Sequence, residues 1–359
     1  SWLVQSGRAE VEDARAALDR IVELAPGTVE AHLARGFFDY YALRDFDSAL
    51  SSFREAERLA PSDAEVVWAV SLILRRQGVW EGSTEKMKRA VQLDPRSMQK
   101  LHTLWDNLSR TGAYADADAV AERALSVHPG NAGARVAKAW SLADVDGDIE
   151  RTRRFVSELG FDESDLQEGS VLQALAMIDR DYERALEISE GIEWPSRPDF
   201  EANRLGFRSI ILGQMSDSVG ARQAAASLLA AMEDVETLES TESTLRMIAY
   251  AGLDQRENLR REIEAAEARI RQREDATIDP GWAGVVVWAY GVLGDLDAGF
   301  EWLEDIVERP DDTAAWEMRA FFWYDAYRDD PRFEEIVQRR EAFEVEGQRK
   351  AAEMRPFLP

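Results

Sequence analysis

Residues 49–61, ALSSFREAERLAP, carry the pattern that decides the fold, because the same offsets recur along the first third of the chain. A small residue, an apolar residue four positions later, a further apolar residue after three and a proline after five also occur in 14–26, 83–95 and 117–129. The prolines, at positions 26, 61, 95 and 129, are 35, 34 and 34 residues apart. A fixed period of this length indicates a repeated helical unit.

The offsets predict a unit of two packed helices. A small residue and an apolar residue one turn later lie on the same helix face, so another helix can approach that face closely. The proline then ends the helix and turns the chain. The helix that precedes this one carries a complementary apolar face, as in Leu101, Leu104 and Leu108, with Gly112 at the turn between the two helices.

The spacing and the four marked positions resemble the tetratricopeptide repeat (TPR). The resemblance implies an all-α fold, a right-handed superhelical solenoid of antiparallel helix pairs. The clear units lack the tryptophan usual at position 4, and among them Gly36 alone supplies the glycine of position 8, so we transfer no family member's binding properties. The register counted from Pro26 places Ser1 at position 7 of a truncated unit, and we expect residues upstream of Ser1 in the native gene product.

The later units are less regular, and the pattern predicts four segments. These are a regular array in 1–131, degenerate TPR-like repeats in 132–199 and in 200–312, and an aromatic C-terminal cap in 313–359. We expect eight or nine helix pairs, with turns at Asp144–Asp148 and Gly252 and a bend at Pro195–Pro198. A polar helix over Glu334–Glu353 is expected to cover the last apolar face, as terminal units of solenoids do.

The end of the chain supports a narrower resemblance. An aromatic stretch, the sequence Asp-Asp-Pro-Arg-Phe at 329–333 and a charged helix resemble the end of repeat regions in bacterial multidomain regulators, such as class III adenylate cyclases and winged-helix transcription regulators. The resemblance implies the C-terminal portion of a larger regulatory or signalling protein. It transfers no catalytic residue, because the cyclase or DNA-binding part of such a protein would precede Ser1.

Composition narrows the classes of partner and the compartment. Lys and Arg number 43 against 69 Asp and Glu, a formal net charge of -26 over 359 residues, which repels nucleic acid. The chain has no cysteine, so disulfides and thiolate metal sites are excluded, and cytoplasm and periplasm both remain open. Because no run of 18 apolar residues and no signal-peptide pattern occurs, we expect a soluble segment that does not insert into a membrane.

Catalytic motifs are missing from the sequence. Phosphate-binding glycine loops, zinc-protease motifs and nucleophile elbows do not occur, and we predict no enzyme activity, no catalytic residue and no cofactor. The three histidines, His32, His102 and His128, lie in separate units, and no metal site is predicted from them. The carboxylates at 144–148 have the wrong register for a calcium loop, because the glycine precedes the third aspartate.

The repeat register predicts which side chains face the concave surface of the solenoid, because first helices line the inner curve of a TPR array. These side chains combine aromatic rings with three arginines in an acidic chain, a mixture that is enriched in binding hot spots. The predicted partner-binding residues are Phe37, Tyr40, Tyr41, Trp68, Arg75, Arg76, His102, Asp106, Arg110 and Trp140. We therefore expect a scaffold that binds a protein or peptide segment in this groove.

Two other functions stay open at this point. The aromatic residues of the C-terminal half would also suit a helical repeat that senses a small molecule, although their spacing favours core packing under the cap. A helical-toroid hydrolase is the enzymatic alternative, but no acid-base pair can be named for it.

Overall fold

The computed structural model describes residues 8–233, 239–271, 280–310 and 313–354, and this part of the chain consists of helices and connecting turns. The helices are α1 Arg8–Leu24, α2 Val29–Phe38, α3 Phe46–Leu59, α4 Ala64–Arg76, α5 Trp80–Leu93, α6 Met98–Arg110, α7 Tyr114–Val127, α8 Ala132–Asp146, α9 Ile149–Leu159, α10 Leu166–Ile178, α11 Tyr182–Gly191, α12 Pro198–Gln214, α13 Ser218–Met232, α14 Glu239–Gly252, α15 Arg256–Arg271, α16 Pro280–Leu293, α17 Leu296–Ile306, α18 Ala315–Ala320 and α19 Pro331–Glu353. No strand occurs within these ranges.

The helices α2 to α17 form eight pairs, and the turn inside each pair contains one residue with a left-handed backbone. In the described residues these are Arg44, Gly78, Gly112, Gly147, Arg180, Ser216, Asp254 and Gly294, with φ between 54° and 74°. A left-handed residue ends a helix and lets the next one start antiparallel to it. Their spacing stays between 33 and 36 residues up to Ser216 and then widens to 38 and 40, so the repeat continues beyond the regular sequence pattern.

Side-chain caps start the first helices of the early pairs at the same point of the repeat. The capping residues are Thr28, Asp63, Ser97, Asn131 and Asp165, and the side-chain oxygen of each accepts a hydrogen bond from a backbone N–H in the first turn of the helix. Such caps satisfy donors that the helix itself leaves without a partner. The first four follow the repeat prolines by two residues, so proline and cap together set where one unit ends and the next begins.

First helices form the inner row of the solenoid. In the described residues α2 contacts α4, α6 contacts α8, α8 contacts α10, α12 contacts α14, and α14 contacts α16. Most second helices pack on their own partner and on the following first helix, as α3 does on α2 and α4. The predicted all-α, TPR-like solenoid of about eight pairs with a C-terminal helix is confirmed.

The C-terminal segment, residues 313–354, does more than cover the last pair. Its helix α19 contacts α17 at the end of the array and also α7, near its beginning. The closest approach is between Gly347 and the α6–α7 turn, where a Cβ on Gly347 would overlap the carbonyl group of Thr111. A Cβ on Gly112 would lie 2.8 Å from the Cα of Glu344. The chain thus closes on itself through a contact between backbones.

Polar contacts extend this closure across three turns of the array. The indole Nε1 of Trp316 donates to Asp144 at 3.0 Å, and the backbone N–H of Ala115 donates to Gln348 at 3.0 Å. The guanidinium of Arg180 donates to the carbonyl oxygen of Ala320 at 2.9 Å and to the carboxylate of Asp325 at 2.7 Å.

Three boundaries differ from the predictions. The predicted turn at Asp144–Asp148 is shorter, because α8 continues to Asp146 and only Gly147 takes the left-handed conformation. Gly252 is not a turn residue: it ends α14 and packs so closely that an added Cβ would lie 2.8 Å from the Cβ of Ala225. The polar C-terminal helix starts at Pro331 rather than Glu334, because Asp330 caps it.

Candidate partner-binding groove

The predicted aromatic residues of the first two complete pairs form one cluster on the inner row. The ring of Phe37 lies 4.9 Å from that of Phe53 and 5.9 Å from that of Trp68, and the rings of Tyr40 and Tyr41 meet edge to face at 4.6 Å. Trp68 and Tyr40 are buried, whereas Phe37 and Tyr41 are half-buried. These rings therefore form one cluster, of which Phe37 and Tyr41 are partly exposed.

Hydrogen bonds connect this surface from one unit to the next. The Nε of Arg76 donates to the hydroxyl of Tyr40 at 2.8 Å, across two neighbouring pairs. The indole of Trp68 donates to Thr103 at 3.2 Å, and the indole of Trp105 donates to Ser141 at 2.9 Å. Each of these bonds joins side chains about one repeat apart, so they tie neighbouring units of the inner row together.

A charged network lies at the centre of the row. The carboxylate of Asp106 accepts hydrogen bonds from the guanidinium of Arg75 and from the Nε of Arg110, the second at 2.8 Å. Burial acts to raise the pKa of Asp106, but the positive charges of Arg110 and Arg75 outweigh it and lower that pKa below its usual value. Asp106 is therefore ionised at neutral pH, and its charge fixes the two arginines.

His102 lies beside this network and is the exposed member of the predicted set. Its ring meets the indole of Trp105 edge to face at 5.4 Å. The walls of the groove restrict hydration of the ring, and this lowers the pKa of His102 despite the attraction of Asp106. The neutral imidazole offers a partner one donor and one acceptor nitrogen.

Trp140, the last predicted groove residue, faces the C-terminal segment. Its ring stacks on that of Trp316 at 6.2 Å with an interplanar angle of 23°. A chamber of about 390 Å³ lies next to this contact, between α6, α8, α16 and the C-terminal segment. The residues that line this central chamber are Trp105, Asp106, Ser109, Trp140, Asp144, Gly284, Thr313, Glu317, Phe321, Trp323 and Tyr324.

The predicted residues therefore fall into two places. One group lies at the N-terminal end of the inner row and consists of Phe37, Tyr40, Tyr41, Trp68 and Arg76. Next to it lies the charged network of Arg75, Asp106 and Arg110, with His102 beside it. Trp140 lies at the central chamber, to which Asp106 also belongs.

Sequence reasoning missed the contribution of the C-terminal segment to this surface. Glu317, Phe321 and Trp323 line the central chamber. For the aromatic residues the sequence favoured core packing under the cap and left a ligand pocket as the alternative. The core packing expected for the C-terminal aromatic residues is found at Trp302, Tyr324 and Tyr327, which are buried. The side chain of Trp282, another member of that aromatic set, lies outside the described residues. The available signal was the unusual density of aromatic residues in 316–327.

Comparisons with known proteins give only partial similarity to solved structures. No family model matches the chain, and no curated protein matches it. Among solved structures, PilW, a type IV pilus biogenesis factor, is 17% identical with a TM-score of 0.39, covering 64% of this chain and 89% of PilW. A thermophilic TPR protein of Thermus thermophilus is 17% identical with a TM-score of 0.37, covering 63% of this chain and 99% of its own.

A TPR protein of Parabacteroides merdae spans more of the chain, covering 87% of it and 98% of its own length, at 12% identity and a TM-score of 0.35. In the described part of the chain, no helix has the length and apolar content needed to cross a bilayer. From its own helix pairs and turns, the chain is an all-α solenoid of TPR-like units whose C-terminal segment closes onto the first half of the array.

Proposed function

We propose that the protein is a non-catalytic scaffold that binds a segment of another protein on the inner row of first helices. The observation that carries the proposal is the hydrogen-bonded, aromatic and arginine-containing surface that runs from Tyr40 to Trp105. A surface that is ordered beforehand loses little entropy when a partner binds. Its mixture of half-buried rings and fixed guanidinium groups is typical of interfaces that bind proteins.

The same proposal places this chain in the C-terminal portion of a larger bacterial regulatory protein. The Asp-Asp-Pro-Arg-Phe sequence at 329–333 supports it, and it has a clear structural role: Asp330 caps α19, Pro331 opens it, and Phe333 is buried. In such a protein the scaffold would position a partner near a catalytic or DNA-binding part. The sequence upstream of Ser1 in the native gene tests this placement.

A photo-crosslinking experiment tests the groove. A photoreactive amino acid replaces His102, which is exposed on the inner row, and in a matched variant it replaces Glu85, which is exposed on the second helix α5. We expect illumination in cells to attach one defined protein to the His102 variant and not to the Glu85 variant. Equal labelling from both positions would contradict a groove-specific partner.

Substitutions then separate binding from folding. The double variant His102→Glu and Tyr41→Ala changes one exposed and one half-buried side chain, so we expect an unchanged circular dichroism spectrum and at least tenfold weaker capture of the crosslinked protein. The charge reversals Arg75→Glu and Arg110→Glu are less informative, because they also remove the partners of Asp106. Undiminished capture by the double variant would show that the partner does not bind at His102 and Tyr41.

A further inference from the structure

The central chamber has walls of a particular chemistry. Three indole rings, those of Trp105, Trp140 and Trp323, come to it from α6, from α8 and from the C-terminal segment. Aromatic faces carry partial negative charge and attract cations. Three carboxylates, those of Asp106, Asp144 and Glu317, lie on the same walls, so the rings and the acids favour the same sign of ligand charge.

The cations that bind Asp106 do not line the chamber. Arg75 and Arg110, whose guanidinium groups donate to the carboxylate of Asp106, are not among the lining residues, whereas Asp106 itself is. Asp106 keeps its charge at neutral pH because of these arginines. In a concave pocket, water screens charges on the wall less than it does at a flat surface.

One polar group of the chamber has no partner within the described residues. The hydroxyl of Ser109 is buried and makes no hydrogen bond, although the residue lines the chamber and is only 8% exposed. A buried hydroxyl without a partner costs free energy, so such groups are uncommon in native proteins. A ligand with a hydroxyl or another polar atom near its charged end would satisfy it.

The carboxylates already accept hydrogen bonds from the protein. Asp144 accepts from the indole of Trp316, and Glu317 accepts from the backbone N–H of Ala314 at 3.1 Å. A ligand with many N–H donors would compete for these positions. A methylated ammonium group needs no acceptor and interacts with ring faces and with charge at a distance, which is the chemistry that aromatic cages use.

We propose that the central chamber binds a small organic cation with a methylated ammonium head and a neighbouring hydroxyl. The volume of about 390 Å³ lies within the range of small-molecule sites. Because the walls come from both the array and the C-terminal segment, an occupant would bind only when the two are docked. Asp106 and Trp140 belong both to this chamber and to the predicted partner-binding residues, but choline binding can be tested without any protein partner.

Choline is the probe, and 3,3-dimethylbutanol is its uncharged counterpart of the same shape. We expect choline to give a saturable one-to-one isotherm in titration calorimetry and to raise the unfolding temperature with concentration. The uncharged alcohol should bind at least tenfold more weakly. Equal binding of the two compounds would reduce the site to an apolar cavity, and no saturable heat with millimolar choline would overturn the proposal.

Two variants locate the binding. Trp323→Leu should weaken the binding of choline at least tenfold, whereas the control Trp194→Leu, which lies outside the chamber, should leave the affinity unchanged. Ser109→Ala should weaken the binding of choline several-fold and leave the binding of tetramethylammonium unaffected. It should not lower the stability of the empty protein, because the serine hydroxyl makes no hydrogen bond that would be lost. Its control is Ser126→Ala, on the exposed side of α7. Unchanged choline affinity in both test variants would refute the assignment to this chamber.

Discussion

Glycines in this chain serve two different needs, and only one of them can be read from local sequence. Gly78, Gly112 and Gly147 lie in left-handed turns, where the absence of a Cβ removes a steric cost. Gly347 lies within the charged helix α19, where a glycine lowers helix stability, and only the adjacent Thr111 carbonyl explains it. The first kind follows from the repeat period, whereas the second depends on a contact with a residue more than 230 positions away.

A pair of glycine substitutions tests the close approach of α19 to the α6–α7 turn. Gly347→Ala adds a methyl group against the backbone of Thr111, and we expect it to lower the free energy of unfolding by about 1–3 kcal/mol, as overpacking does. Gly213→Ala is the matched control, since Gly213 also lies in a helix but has open space around its Cα. It should raise stability by about 0.5–1 kcal/mol through helix propensity alone.

Chemical denaturation of both variants measures these differences. A stabilising effect of Gly347→Ala equal to that of Gly213→Ala would mean that α19 does not rest on the turn in solution.

Helix pairs were predictable because each element carries its own signals. The apolar offsets and prolines predicted the second helices up to Pro129, and the caps two residues after each proline mark the first helices. Beyond that point Arg180, Ser216 and Asp254 replace glycine in the turns, so the repeat continues in the backbone after it fades in the sequence. Left-handed non-glycine residues cost some stability, which packing of the paired helices must offset.

The docking of α19 was not predictable, because no periodic pattern encodes it. Single residues of α19 make its contacts with the rest of the chain. One of them is Glu344, whose carboxylate accepts a hydrogen bond from the backbone N–H of Ala315 at 2.7 Å. The same carboxylate lies 3.5 Å from the hydroxyl of Tyr114 on α7. A charged helix read alone looks like a solvated cap.

The protonation of Glu344 should affect how firmly α19 docks. Burial raises the pKa of Glu344 above its usual value of 4.5. The hydrogen bond from Ala315 and the positive charge of Arg340 act in the opposite direction, but burial outweighs them. A carboxyl whose pKa is raised by folding contributes stability that is complete below its unfolded pKa and is lost as the pH rises through its folded pKa. We therefore expect the protein to gain stability from this group in mild acid.

Glu344→Gln isolates this effect, since glutamine keeps an acceptor oxygen and has no charge. The unfolding temperature of the variant minus that of the wild type should increase from pH 4.5 to pH 7. Glu346→Gln, an exposed position on the same helix, is the control, and it should not show this increase. A difference for Glu344→Gln that is constant with pH would contradict the raised pKa.

At the scale of the whole molecule, closure makes the solenoid different from an open array. The C-terminal segment contacts α7, the end of α8 and the α10–α11 turn while α19 remains on α17. An open TPR array has contacts only between neighbouring units. The groove predicted from the repeat register is therefore bounded by the chain's own C-terminal segment at Trp140.

Engineered cysteines test closure in solution, and the absence of native cysteine keeps the experiment free of background. The pair Ala115→Cys and Gln348→Cys lies where the Ala115 N–H meets Gln348 at 3.0 Å, and we expect rapid crosslinking by a short bis-maleimide. The control pair uses Gln338→Cys, ten residues earlier on α19 and thus about 15 Å away along the helix.

Gel mobility and peptide mapping report the crosslinked product. Equal yields from the test and control pairs, or no product from the test pair, would show that the C-terminal segment is undocked.

The return of α19 to the α6–α7 turn also fixes how many units the molecule contains. Repeat proteins ordinarily gain or lose length by duplication or deletion of a unit, because each unit needs only its neighbours. Here one unit inserted between α9 and α16 would rotate and shift the C-terminal segment away from Gly112, and one unit removed would drive the two into collision. A duplication that an open array tolerates would in this protein separate Gly347 from the turn it fits, so we expect the closed form to require this number of helix pairs.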